Sequence, residues 1–233
     1  MKITGEGADL LGRYLQAEID KGKSYVWEMG PQEEQEKEKM PPETGVDPFK
    51  LLSLSQFNQA ICECQKCPLG KTRTRFVFGE GNKNARLVFV GEAPGAEEDK
   101  QGRPFVGAAG KLLTKIIEAM GTKREDVFIC NTIKCRPPDN RPPQPAEIEQ
   151  CEPYLFHQIK LIAPKVICPL GSHAAQTILK TKDPIGKLRN NVYSYQGIPV
   201  VPTYHPAACL YDPKNKTAVW QDMQKIMKML KNE

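Results

Sequence analysis

The chain has 233 residues, 39% of them hydrophobic, with a formal net charge of +5. That size suits one α/β domain with an appendage. No apolar run reaches the length of a membrane-spanning helix and no basic-then-apolar leader opens the chain, so a soluble cytoplasmic protein is expected. The charge is uneven: residues 1–50 carry 7 Lys/Arg against 11 Asp/Glu, a net of −4, and residues 51–233 carry 26 against 17, a net of +9. The larger part is basic enough to suit a polyanion.

In chain order, residues 8 to 20 can form an amphipathic helix with Leu10, Leu11, Tyr14, Leu15 and Ile19 on one face. Gly30 to Asp47 is rich in Glu, Lys and Pro without periodicity and reads as a linker. Residues 1–50 are therefore taken as an extension and 51–233 as the folded domain. Phe49 to Cys64 has helical spacing and runs into Cys64-Gln-Lys-Cys67-Pro68, followed by the basic segment Lys71 to Arg75. Leu87 to Val90 is a buried strand that stops at Gly91, and Lys111 onward is helical up to Gly121. The loop between them is far longer than the usual connection of about two to six residues. It holds five glycines, the acids Glu97, Glu98 and Asp99, and one aromatic, Phe105. It is neither a dinucleotide fingerprint nor a phosphate-binding loop. Ligands of open α/β sheets bind beyond the carboxyl ends of the strands, so this loop is a site candidate.

Val127 to Asn131 reads as the next strand, followed by a proline-rich loop from Lys134 to Pro143. A helix is expected from about Pro145 to Leu161, a strand over Val166 to Leu170, and a helix over Ser172 to Leu179. Val192 to Tyr195 and Ile198 to Pro202 flank Gly197 as a hairpin-like pair. The last strand delivers Tyr204-His205-Pro206, and Lys214 to Leu230 closes the chain as a helix. Strands alternating with helices imply an α/β fold, a mainly parallel sheet covered by helices on both faces.

Eight cysteines in a protein of a reducing compartment read first as metal or redox ligands. Cys130 and Cys168 fall inside apolar strands and Cys209 is open to either reading. Cys64 and Cys67 form a C-x-x-C pair, and Cys135 and Cys151 bracket the proline-rich loop. Four thiolates suit a structural zinc or an iron–sulfur cluster, and spacing alone leaves the choice open. Cys62 is an alternative ligand, although Pro68 after Cys67 favours 64 and 67.

Gly91-Glu-Ala-Pro-Gly95, Glu97-Glu98-Asp99, Gly102-Arg-Pro-Phe105, Gly107-x-x-Gly110, Asn131, Lys134-Cys-Arg-Pro-Pro138, Pro169-Leu-Gly171 and His205-Pro206 occur in one order. Together they resemble a family-four uracil-DNA glycosylase over residues 54 to 231. The resemblance implies a three-layer α/β/α sandwich and a 4Fe-4S cluster on Cys64, Cys67, Cys135 and Cys151. It implies excision of uracil from single- or double-stranded DNA, by a monomer that leaves an abasic site. A flipped uracil would bind against Gly91 and Ala93 and stack on Phe105. Asn131 would accept from uracil N3–H and donate to O4, a pattern that cytosine reverses. His205 would stabilise the charge developing at O2.

Ala93 stands where the best-known uracil glycosylases carry an Asp, so no carboxylate acts from there. Glu92 would contribute its backbone and side chain beside the pocket, and Glu98 is the nearest acidic candidate for ordering water or guarding the C5 edge, with Asn140 a further one. Lys71, Arg73, Arg75 and Arg103 are phosphate-contact candidates, and Leu210 and Tyr211 an apolar wedge. Ala207 replaces a serine common in relatives, which removes a hydroxyl–phosphate contact. His157 and His173 read as structural. The competing reading is an iron–sulfur nucleic-acid-binding protein without catalysis, against which Phe105, Asn131 and His205 argue.

Overall fold

The computed structural model describes residues 52–231. The amphipathic stretch at 8–20, the charged linker and the start of the Phe49 helix lie outside the described residues. Helix α1 (Leu54–Ile61) is set by a reciprocal cap: Ser53 Oγ accepts from the Gln56 amide, and Gln56 Oε1 accepts from the Ser53 amide. Its apolar stripe buries Phe57 and Ile61. The short α2 (Leu69–Thr72) and the two-residue strand β1 (Glu80–Gly81) lead to β2 (Leu87–Gly91), buried along its whole length.

The long connection that follows contains a helix of its own, α3 (Ala96–Gln101), where a loop is expected from the sequence. All three acids lie in its first turn, where the helix dipole favours them. They are not simply solvated: Asp99 is buried and accepts from the amides of Thr74 and Arg75. Gly102, at φ 70°, ends the helix in a left-handed cap. Helix α4 (Ala108–Ala119) begins three residues before Lys111, because the Gly107 carbonyl starts the ladder by accepting from Lys111 N–H.

Then come β3 (Phe128–Asn131), α5 (Pro145–Ile162), β4 (Val166–Pro169), α6 (Ser172–Leu179), the single-turn α7 (Ile185–Leu188), β5 (Tyr193–Tyr195) and β6 (Ile198–Val200). The β5–β6 turn has both central residues left-handed, Gln196 at φ 49° and Gly197 at φ 84°, the geometry that matches strand twist. Helices α8 (Pro206–Tyr211) and α9 (Asn215–Lys231) finish the described chain.

The sheet order is β1-β3-β2-β4-β6-β5. The four central strands run parallel, and β1 and β5 pair antiparallel at the edges. Alternate residues of β2 enter different cores. Val88 and Val90 pack with Phe57, Leu155 and Ile159; Leu87 and Phe89 pack with Ile117, Met223 and Ile226. Helices thus cover both faces, giving the expected α/β/α layering. Among the described residues no helix is long and apolar enough to cross a membrane. The chain leaves β2 toward β3 on one side and returns to β4 on the other, so a crevice opens at the carboxyl ends of these strands.

Candidate active site and cysteine cluster

A cleft of about 380 Å³ lies in that crevice, and Glu92, Phe105, Asn131, Asn140, Arg141 and His205 line it together with Ala93, Gly95 and Glu98. Strand register brings the first two parts together. Gly91 and Asn131, the last residues of β2 and β3, are direct neighbours. A Cβ on Gly91 would lie 2.3 Å from Asn131 Oδ1 and 2.6 Å from the Phe105 ring, so only glycine permits this approach.

Asn131 is 2% exposed, and its Oδ1 has no hydrogen-bond partner. A buried acceptor left unsatisfied costs about 1–3 kcal/mol, and that expense at a cleft wall marks a place for a donor from outside. Beneath it, the fully buried Lys134 donates to the Asn131 carbonyl at 2.8 Å and to Gln158 Oε1 at 2.5 Å. Burial lowers the lysine's pKa. Lys134 was visible in the sequence as the start of the proline-rich loop and of the motif Lys134-Cys-Arg-Pro-Pro138; its inward course was not.

Phe105 is buried with φ 51°, in the left-handed region that non-glycine residues avoid. Two contacts over-determine it. Glu98 Oε1 accepts from the amides of Val106 at 2.8 Å and Gly107 at 2.9 Å, and Oε2 from Gly95 at 3.1 Å. Gly110 supplies the other: a Cβ there would sit 2.0 Å from the Phe105 carbonyl carbon and oxygen. Gly110→Ala is therefore expected to lower stability by about 1–3 kcal/mol through overpacking, read as a shift in the urea midpoint. Glu98 lies in the cleft wall, yet both its oxygens are engaged by backbone. Its geometry is that of a brace for the loop rather than a free base.

The Phe105 ring faces His205, with centroids 5.6 Å apart and planes at 33°. His205 caps α8, its Nδ1 accepting from Ala207 N–H at 3.2 Å. An Nδ1 that accepts leaves the proton of the neutral ring on Nε2. Desolvation of the imidazole pushes its pKa down to about 4, only partly opposed by Glu98, although some of the residue's surface opens on the cleft. His205 is thus a neutral Nε2–H donor at physiological pH. Gly171, at φ 90°, gives it room: a Cβ there would lie 3.1 Å from the His205 Cβ.

Glu92 is held by His173, which does not line the cleft and whose Nδ1 lies 2.8 Å from Oε2. His173 was read as structural; its one sequence signal was its place just beyond the carboxyl end of β4. Asn140, left-handed at φ 54°, accepts from Arg136 Nε at 2.8 Å at the rim.

Two of the four phosphate-contact candidates are engaged elsewhere. Arg73 donates to the carbonyls of Cys62 and Cys64 and to Cys135 Sγ at 3.3 Å. Arg103 pairs with Glu80 in two bonds of 2.7 and 3.2 Å. Lys71 and Arg75 are exposed.

Cys135 and Cys151 are buried in the core beside α1, with Cys64 and Cys67 packed against the same cluster. Burial raises the thiol pKa of Cys135 and of Cys151, and the neighbouring Cys67 raises each a little further. Cys64 Sγ accepts from the Lys66 amide at 3.5 Å and lies 3.4 Å from the Tyr154 hydroxyl. Cys62 instead turns back on its own helix, its thiol donating to the Gln59 carbonyl. Cys130, on β3, is buried in the same core, whereas Cys168 and Cys209 are buried in the core on the other face of the sheet. Among the described residues no group of three or more His, Cys, Asp or Glu is placed to hold a single metal ion.

Comparison with known proteins bears on this arrangement. The sequence model of the uracil DNA glycosylase superfamily matches residues 78–224. The chain is 48% identical to the type-4 uracil-DNA glycosylase of Saccharolobus solfataricus, over 74% of this chain and 84% of that protein. Identity is 47% to the type-4 uracil-DNA glycosylase of Archaeoglobus fulgidus (75% and 92% covered) and 45% to that of Thermotoga maritima (76% and 94%).

Proposed function

Since the chain belongs to the uracil-DNA glycosylase superfamily, alongside its type-4 members, we propose that it hydrolyses the N-glycosidic bond of uracil in DNA. Free uracil leaves and an abasic site remains. The observation that carries this reading is the buried, unpartnered Oδ1 of Asn131 beside Phe105 and a neutral His205.

Each residue then has a task. Extruding the nucleotide costs a few kcal/mol, recovered in part as the base stacks on Phe105. Asn131 Oδ1 accepts from uracil N3–H and its amide donates to O4. Cytosine has an acceptor at N3 and a donor at C4, so it would leave both groups mispaired in a dry wall. The electron pair of the breaking bond passes to uracil, and the Nε2–H of His205 stabilises the charge at O2. Water adds to C1′ of the sugar, ordered by Glu92, whose carboxylate takes the water's proton. Gly91 and Ala93 leave the space that the base fills, and Glu98 acts as a positioning residue for the loop. Leu210 and Tyr211, exposed at 50% and 98% at the end of α8, suit a wedge that fills the gap in the stack. Lys71 and Arg75 suit phosphates.

Residues 51–233 make up the catalytic domain in this reading. Cys64, Cys67, Cys135 and Cys151 would hold a 4Fe-4S cluster: the four thiols meet at one core cluster, and N–H and O–H donors already address two of the sulfurs. Such a cluster would tie α1 to the start of α5, and all the chemistry above belongs to side chains. Purified protein is expected to carry iron and acid-labile sulfide in equal amounts, and Cys151→Ala to lose both.

The reading is tested by incubating the protein with an oligonucleotide containing one uracil, against matched thymine and cytosine controls. Uracil-dependent abasic sites are expected; a folded, iron-loaded protein that makes none would overturn the assignment and leave a nucleic-acid-binding protein.

A further inference from the structure

We infer that His173 is a positioning residue for the reaction, fixing the Glu92 carboxylate so that one oxygen faces the cleft and the attacking water. This rests on the glycosylase reading above and extends it to a side chain that contributes no atom to the cleft lining.

The geometry comes from two strand ends. Glu92 follows β2, and its carbonyl accepts from Ile133 N–H at 3.2 Å, which fixes its backbone against the continuation of β3. Its side chain is not fixed by that bond. His173, in the first turn of α6 after β4, supplies the second restraint through Nδ1 at 2.8 Å from Oε2. A carboxylate oxygen accepts only, so Nδ1 carries the proton. His173 thus donates through Nδ1, the reverse of His205, whose Nδ1 accepts from a backbone amide.

Among the described residues Glu92 Oε1 has no hydrogen-bonding protein partner, and Glu92 lines the cleft. Compare Glu98, in the same wall, with both oxygens engaged by backbone amides. Of the two acids, only Glu92 keeps a free oxygen, and only because the restraint from His173 falls on the other one. A flexible Glu would spread over several rotamers; one hydrogen bond that selects the reactive one raises the fraction of correctly aligned encounters. Gly171, two residues earlier, makes the close approach to His205. The same turn therefore sets the residue facing the leaving base and the residue facing the water.

The test is a double-variant cycle on uracil excision, with the iron-loaded full chain and a uracil-containing oligonucleotide. His173→Ala should lower kcat about 10- to 100-fold with KM little changed. His173→Asn, whose amide can reach the place of Nδ1–H, should recover most of the loss. Because His173 acts through Glu92, His173→Ala should cost nothing further in a Glu92→Gln background. Half-exposed at a helix start, His173 can be replaced without unfolding the domain, and matching urea midpoints would check this. Full activity in His173→Ala while Glu92→Gln is impaired would overturn the inference and leave the role of Glu92 intact. Equal losses from His173→Ala in both backgrounds would overturn it as well. Full activity in Glu92→Gln would remove both the water-ordering role and the inference, without touching Asn131 or His205.

Discussion

His205→Asn should excise uracil with a kcat lowered by about 10²- to 10³-fold, the usual cost of removing one preorganised donor from a developing charge. Asparagine is chosen because it preserves everything except the chemistry. Its side-chain oxygen can replace Nδ1 as the acceptor for Ala207 N–H, so α8 keeps its cap and its course. What disappears is the Nε2–H that the proposed mechanism assigns to uracil O2. Single-turnover kinetics would separate this loss from binding or product release; a variant that retains wild-type kcat would remove His205 from the reaction.

The same residue predicts the pH behaviour. Burial takes His205 from an ordinary 6.5 down to about 4 in the folded protein. Its acid limb in kcat should therefore fall near pH 4, well below that of an exposed imidazole. The linked stability effect has a definite sign. Between those two values the unfolded chain binds a proton that the folded chain refuses, so the contribution of His205 is complete above about pH 6.5. It is lost as pH falls toward about 4, and the loss saturates below that value. Urea unfolding at several pH values should show this slope in the wild type and a shallower one in His205→Asn.

Asn131→Ala should lower kcat/KM for uracil by about 10²- to 10³-fold, because a site built around hydrogen bonds to the base edge loses both at once. Stability should respond differently. Oδ1 has no partner in the folded protein, so its removal abolishes a desolvation cost of about 1–3 kcal/mol, which offsets the packing that the buried carboxamide gives up. The expected result is a nearly inactive variant whose melting temperature is no lower than the wild type's. A large fall in stability would mean that the carboxamide serves the fold instead of the base.

These expectations draw on different kinds of legibility. Asn131 could be singled out because it ends a readable apolar strand run at the sheet's carboxyl edge, where ligands gather, and His205 because it follows the last strand beside a proline; the resemblance gave both their roles. Phe105 and its flanking glycines were visible as an over-long connection. Glu98 was visible too, but as a free acid. Sequence order cannot reveal that the loop folds back to deliver three amides to that carboxylate, nor that Asp99 turns inward to Thr74 and Arg75. Arg73 and Arg103 were read as phosphate contacts because charge is a property of composition, whereas their partners come from segments 9 to 62 residues away.

The sequence by itself determined the α/β alternation, the strand end that carries Asn131, the cysteine set at 64, 67, 135 and 151, and the resemblance that these residues carry together with His205. Such signals are local: period, punctuation and spacing survive in one dimension. Only the tertiary structure decided which acid is braced and which is free, which ring nitrogen of His205 and of His173 bears its proton, and why Gly91 and Gly110 admit no side chain. Those depend on contacts closing across the sheet edge. A hydrogen-bond partner there is chosen by position in space to within a few tenths of an ångström, and no pattern along the chain encodes that distance.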